Sequence, residues 1–109
     1  MSSKPTQKAK APAQKAPWTV KESSKARKGE KELPKKLKIV VKAVKRSLAM
    51  TGQAYGMDHY SRLEQRGKGY FHCHLGTHRG TTYVAYWRVN KKSKIIDFEY
   101  CGTHEGARY

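Results

Sequence analysis

Three histidines have the spacing and surroundings that acid–base chemistry requires. His72 and His74 are separated by one residue in the run Tyr70–Leu75, and His104 follows Gly102 near the C-terminus. Imidazole both accepts and donates protons near neutral pH without a special environment. Two imidazoles on a basic surface meet the needs of RNA cleavage, in which a base removes the 2′-hydroxyl proton and an acid protonates the departing 5′-oxygen. The same pattern is also compatible with ordinary surface histidines.

A zinc site is the main alternative use of these histidines. The candidate ligands are His72, Cys73, His74, His78, Cys101 and His104. On a strand, Cys73 points away from its two histidine neighbours, and the two cysteines do not form a C-x₂-C pair. We therefore expect no metal and no other cofactor, and we interpret Cys73 as a small core residue.

The charge of the chain favours a polyanionic partner. The 109 residues contain 24 Lys+Arg against 8 Asp+Glu, which gives a net charge of +16. Such an excess is typical of proteins that bind nucleic acid, the ribosome or an acidic protein. Only four lysines lie in residues 1–17, so most of the excess belongs to the remainder of the chain.

The composition divides the chain into a tail and one small domain. Residues 1–17 have no acidic or aromatic side chain and predict a disordered basic tail, whereas 18–109 have enough apolar residues for one core. No apolar run approaches a membrane span, and no signal-peptide pattern precedes the domain. We expect no membrane partner and a cytoplasmic location.

The elements before residue 52 predict a strand and two helices. Trp18–Lys21 alternates apolar and polar residues as a strand does, and Ser23 or Ser24 can cap a first helix that ends before Pro34. A second helix is predicted up to Gly52. Its apolar stripe comprises Leu33, Leu37, Val40, Val41, Val44 and Leu48. Its opposite face carries Lys35, Lys36, Lys38, Lys42, Lys45 and Arg46, and is a candidate phosphate-binding surface unless it is simply solvated.

Three β-rich runs follow a glycine-punctuated stretch at residues 52–69, which we interpret as a loop. The runs 70–75, 82–90 and 95–101 predict a three-stranded antiparallel sheet whose one face is covered by a helical hairpin. Alternation places Ile96, Phe98 and Tyr100 inward. It places His72, His74, Tyr86 and Arg88 on the open face, where the tyrosine could stack on a base and the arginine could hold a phosphate.

Together these runs resemble the RelE/ParE superfamily of bacterial toxin–antitoxin systems over about residues 17–109. The matching segments are Trp18-Thr19-Val20, Ser24 to Pro34 with Ala26 and Lys28, Tyr70 to Leu75, Tyr83 to Val89, and Gly102-Thr103-His104. The resemblance is strongest to the histidine-bearing, YafQ-like branch. It implies a RelE-like α+β fold and a toxin that cleaves mRNA in the ribosomal A site, beside ribosomal RNA, and is silenced by a cognate, acidic antitoxin.

The resemblance also assigns roles. It implies that His74 and His104 form the acid/base pair, that Tyr109 orients or stacks the message, and that His72 takes the place of a catalytic lysine. The residue after the strand tyrosine is Val84 rather than the arginine of the lysine-type members. The phosphate clamp therefore stays open among Arg79, Arg88 and Arg108.

Two other functions remain open at the level of sequence. The ParE branch shares the fold but poisons DNA gyrase and lacks an acid/base site. A non-catalytic member could keep the basic surface and bind nucleic acid without cleaving it. Three histidines at the nuclease positions argue against the ParE branch.

Overall fold

A computed structural model describes residues 16–107 of the chain. The elements are β1 (Thr19–Glu22), α1 (Ser24–Glu32), α2 (Lys35–Thr51), β2 (Asp58–Arg62), β3 (Tyr70–His78), β4 (Thr81–Asn90) and β5 (Ile95–Thr103). The predictions for residues 1–15, Arg108 and Tyr109 lie outside the described residues.

Local sequence signals determine where both helices begin and end. The Ser23 hydroxyl accepts a hydrogen bond from the Ala26 amide and caps α1. Pro34 separates the helices, because the residue before a proline is excluded from helical geometry. Gly52 ends α2 in the left-handed conformation with φ 79°, which glycine adopts without strain. The predicted strand, helix break and helix stop are confirmed.

The sheet has five strands in the order β1-β5-β4-β3-β2. Strand β1 pairs in parallel with β5, and the other neighbours are antiparallel. The prediction of a three-stranded sheet was therefore wrong in two respects: β1 joins the sheet at one edge, and part of the predicted loop at 52–69 forms β2 at the other edge. Strand β2 is short and polar, so it carries little hydrophobic signal.

Two β-bulges reverse the alternation of side chains along the sheet. Leu75 is the extra residue in β3, and Glu99 is the extra residue in β5 between Phe98, which pairs with Trp87, and Tyr100, which pairs with Tyr86. The bulge in β5 places Tyr100 on the face opposite Phe98. The prediction that Tyr100 points inward with Phe98 was wrong for this reason.

Both helices cover one face of the sheet. The stripe residues of α2 pack there against Trp87, Phe98 and Cys73 as one core. Helix α1 packs on β5 and makes only minor contact with α2, so the predicted helical hairpin does not form as a closely packed pair. The opposite face, which we call the open face, carries a smaller cluster of Leu63, Val84, Tyr86 and Tyr100.

Lys45 differs from the other cations of α2. Its Nζ donates to Glu22 Oε2 at 2.8 Å and to Glu30 Oε1 at 2.6 Å, joining α2 to β1 and α1. Burial alone would raise the pKa of Glu22, but the hydrogen bond and charge of Lys45 hold that pKa below its usual range. The prediction that Lys45 belongs to the solvated basic face was wrong.

Of the residues described, no helix combines the length and apolarity of a membrane span.

Candidate active site

Four imidazoles meet at one end of the open face. His74 is at the centre: its ring lies 4.0 Å from that of His59, 5.7 Å from that of His104 and 6.1 Å from that of His72, measured between centroids. His72 and His74 come from β3, His59 comes from β2, and His104 follows β5. We call these four residues the histidine cluster. The expected meeting of His72, His74 and His104 is seen in the structure.

His59 enters the cluster through an irregularity in β2. The register shifts between Asp58, which pairs with His74, and Ser61, which pairs with His72. Within this shift His59 has φ 54°, an uncommon conformation for a residue with a Cβ. Its ring stacks on that of His74 with 20° between the planes. Sequence analysis missed His59 because residues 52–69 were interpreted as a loop.

His72 is tied to the edge strand. Its Nε2 and the Ser61 Oγ form a hydrogen bond of 3.0 Å. The pKa of His72 is lowered, first because burial disfavours the charged ring and then because His74, His104 and His59 lie nearby. His72 therefore stays neutral at pH 7.

His74 also has a lowered pKa. Burial is the largest cause, and the neighbouring imidazoles of His59 and His104 lower it further, against a smaller opposite effect of the Asp58 carboxylate. A neutral imidazole at pH 7 is ready to accept a proton.

The turn after β5 positions His104. Its amide donates to the Thr82 carbonyl at 2.8 Å, and the Tyr100 hydroxyl donates to the Thr103 carbonyl at 2.8 Å. Gly102 makes this turn possible, because a Cβ there would lie 2.8 Å from the Tyr100 hydroxyl oxygen. The Tyr100 hydroxyl is thus a steric reason for glycine at position 102.

An open cleft of about 300 Å³ lies beside His74 and His104. It is also lined by Gly80, Thr81, Thr82, Thr103 and Glu105. Arg79 is exposed in a turn and directly precedes Gly80, which lines this cleft. The cleft gives a ligand access to both imidazoles at once.

The other predicted phosphate-binding and stacking residues lie farther away or are covered. Arg88 is exposed but pairs with Tyr70, four residues or about 13 Å along β3 from His74. Tyr86 is 2% exposed, with Arg66 over one ring face and Tyr100 stacked on it. A base cannot reach Tyr86 in this arrangement, so its predicted stacking role is corrected to a structural one.

The cations on α2 lie away from the histidine cluster. The helices cover the face of the sheet opposite the cluster, and Lys35, Lys36, Lys42 and Arg46 are exposed there, with Lys38 partly buried. Any contact they make with a polyanion is therefore separate from the chemistry of the imidazoles.

The two cysteines do not contribute reactive thiols. Cys73 and Cys101 are both buried on the helix side, and burial raises the pKa of each to about 12. Within residues 16–107, no three His, Cys, Asp or Glu side chains are arranged to hold a metal ion.

Comparison with known proteins identifies the fold. No family model and no curated protein sequence matches the chain. A chain of the archaeal RelE-RelB complex from Pyrococcus horikoshii OT3 superposes with a TM-score of 0.63 at 22% identity, over 83% of this chain and 98% of that one. A chain of the toxin–antitoxin complex RelBE2 from Mycobacterium tuberculosis superposes with a TM-score of 0.52 at 19% identity, over 82% and 93%. The protein therefore has a RelE-like α+β fold.

Proposed function

We propose that this protein is the toxin of a type II toxin–antitoxin system and cleaves mRNA on the ribosome by acid/base catalysis. The observation that carries the proposal is the convergence of His74 and His104, from β3 and from the turn after β5, beside an open cleft on a strongly basic protein. The RelE-like fold supports the same reading by analogy.

The proposed reaction needs only two proton transfers. Neutral His74 takes the proton of the 2′-hydroxyl, and the 2′-oxygen then bonds to the adjacent phosphorus while the bond from phosphorus to the 5′-oxygen breaks. His104, as the general acid, gives a proton to that 5′-oxygen. The products are a 2′,3′-cyclic phosphate and a free 5′-hydroxyl.

Neighbouring histidines would tune this pair. Burial and then His59 lower the pKa of His74 and so keep the base neutral. His72 lies 6.1 Å from His74 on the same strand, close enough to contact the same RNA. Arg79, next in sequence to the cleft residue Gly80, is the best placed of the described arginines predicted to clamp the phosphate.

The proposed setting is the bacterial cytoplasm, where the partners would be mRNA, ribosomal RNA and an acidic antitoxin. Two solved structures with this fold are a complex of RelE with RelB and the toxin–antitoxin complex RelBE2. A net charge of +16 would attract both ribosomal RNA and an acidic protein.

In vitro translation with primer extension on the message tests the proposal. The wild type should cut the message, and His74→Ala or His104→Ala should each reduce cleavage by about 10²- to 10⁴-fold. His78→Ala is the matched control, because His78 lies at the end of β3 and outside the histidine cluster. Intact message, or full activity of the double variant, would contradict the proposal; inhibition of gyrase supercoiling would then favour a ParE-like poison.

A further inference from the structure

Arg66 is an arginine packed into the aromatic cluster of the open face. Its guanidinium carbon lies 4.4 Å from the centroid of the Tyr86 ring and 5.3 Å from that of Tyr70. Tyr86 on β4 pairs with His72 on β3, and His72 is two residues from His74 along the same strand. Arg66 therefore lies one cross-strand row away from His74. Two residues along a strand correspond to about 7 Å.

The bulge at Glu99 aims a carboxylate at this guanidinium. Glu99 is the extra residue of β5, and Arg66 Nη2 lies 3.6 Å from Glu99 Oε1. The Tyr70 hydroxyl donates to the same carboxylate at 3.0 and 3.2 Å. Bulges commonly re-aim a side chain next to a functional site. Glu99 is thereby fixed where it can orient Arg66.

The ion pair orients Arg66 without burying it. The distance of 3.6 Å exceeds the roughly 2.7–2.9 Å of a short charge-assisted hydrogen bond. The side chains of Arg66 and Glu99 remain 30% and 26% exposed. They line an open cleft of about 530 Å³ together with Lys21 and Lys25 and with the carboxylates of Glu22 and Asp97.

Anchoring of the loop before β3 does not require this charge. The Leu63 amide donates to the Tyr70 carbonyl at 2.8 Å, the Val89 amide donates to the Gly69 carbonyl at 2.8 Å, and Leu63 is buried. An apolar side chain in place of Arg66 would pack against the Tyr86 ring without an ion pair. The half-buried guanidinium can therefore face an anionic ligand without loss of this anchoring.

We propose that Arg66, oriented by Glu99 and Tyr70, holds a phosphate of the RNA strand one row along the sheet from His74. The proposal rests on the function proposed above, because it takes single-stranded RNA as the ligand. A guanidinium suits this task because its fork of N–H donors matches phosphate while its face stacks on an aromatic ring.

Binding of a fully 2′-O-methylated single-stranded RNA to the free protein tests this role without requiring cleavage. Arg66→Gln should weaken binding about tenfold and reduce the slope of log K against log salt by about 0.7, the value for one phosphate contact. Arg66→Lys should restore the slope but only part of the affinity, since it keeps the charge and loses the fork. Arg62→Gln is the control, because Arg62 pairs with Phe71, whose side chain packs on the helix-side core.

A substitution of Glu99 tests the proposal independently of Arg66. Glu99→Gln should tighten RNA binding, because a carboxylate next to the phosphate is removed, and should do so more than Asp97→Asn in the same cleft. An unchanged salt slope in a folded Arg66→Gln variant, or no binding of this RNA by the wild type at 50 mM salt, would overturn the proposal. A message left intact while Arg66→Gln still lowers the slope would reject the nuclease and keep the phosphate site.

Discussion

His59 stacks on His74 with ring centroids 4.0 Å apart, although the two residues lie on different strands and His59 is on the polar edge strand β2. Two imidazoles this close resist being protonated together, because each positive ring disfavours the other. The protonation state of His74 therefore depends on His59, which lies outside both the Gly102-Thr103-His104 segment and strand β3.

The pH dependence of cleavage should report this stack. A general base works only when it is unprotonated, and the pKa of His74 is lowered, so the acidic limb of the rate profile should lie below pH 6.5. His59→Asn removes an imidazole that lowers the pKa of His74, and it removes part of the cover over His74. Both changes raise the pKa of His74, so the limb should move to higher pH. The pH profile of the single-turnover cleavage rate measures the position of this acidic limb. The control His78→Asn should leave the limb at its wild-type pH. A shift of the limb to lower pH in His59→Asn would refute the role of the stack.

We expect Gly102 to be needed for stability because a side chain there would meet the Tyr100 hydroxyl, and not because of its backbone conformation. Gly102→Ala places a Cβ 2.8 Å from that oxygen, so the hydroxyl must leave the Thr103 carbonyl and the turn that positions His104 must shift. We expect a loss of roughly 0.5–1.5 kcal/mol in the free energy of unfolding, as for one hydrogen bond, with a fall in cleavage.

A double-mutant cycle isolates this contact. Tyr100→Phe removes the hydroxyl, so Gly102→Ala should cost less in that background than in the wild type, by urea unfolding. Equal costs in both backgrounds would show that the hydroxyl does not explain the glycine.

Lys45 should contribute to stability and Lys42 should not. Replacing Lys45 by Met leaves Glu22 and Glu30 without their shared partner, and we expect a loss of roughly 1–3 kcal/mol. Lys42→Met changes an exposed position of the same helix and should stay within about 0.5 kcal/mol.

The stability that Glu22 contributes should also depend on pH. Because its pKa is lowered on folding, this contribution is present above about pH 4.5 and is lost as the pH falls through the folded value. Lys45→Met should flatten that part of the curve of unfolding free energy against pH, and an unchanged curve would contradict the assignment.

Patterns with a strong local cause could be predicted from the sequence. The apolar stripe of α2 from Leu37 to Leu48, the break at Pro34 and the stop at Gly52 follow from helix periodicity and backbone restrictions. Leu33, predicted on the same stripe, is extended and lies outside α2. The alternation of His72, Cys73 and His74 placed the imidazoles on the open face, because no bulge intervenes between these residues.

Features set by long-range pairing could not be predicted. Strand β2 is polar and exists because its backbone pairs with β3, and β1 pairs in parallel with a strand more than seventy residues away. The bulge at Glu99 adds one residue without any sequence signature, so Tyr100 and Glu99 both reach the open face. The contact of Arg66 with Glu99 depends on both features.

The basic face of α2 should bind ribosomal RNA independently of the histidine cluster. Replacing Lys35, Lys36, Lys38 and Lys42 by Gln removes four cations on the opposite side of the sheet from His74, and should weaken ribosome association and flatten its salt dependence. Lys45 is left out because it is paired with Glu22 and Glu30. The matched control replaces Lys28, Lys31, Lys91 and Lys92, which removes the same net charge elsewhere. Sedimentation with ribosomes at several salt concentrations measures both variants, and equal effects would mean that the face on α2 acts only through net charge, as an ordinary solvated surface does.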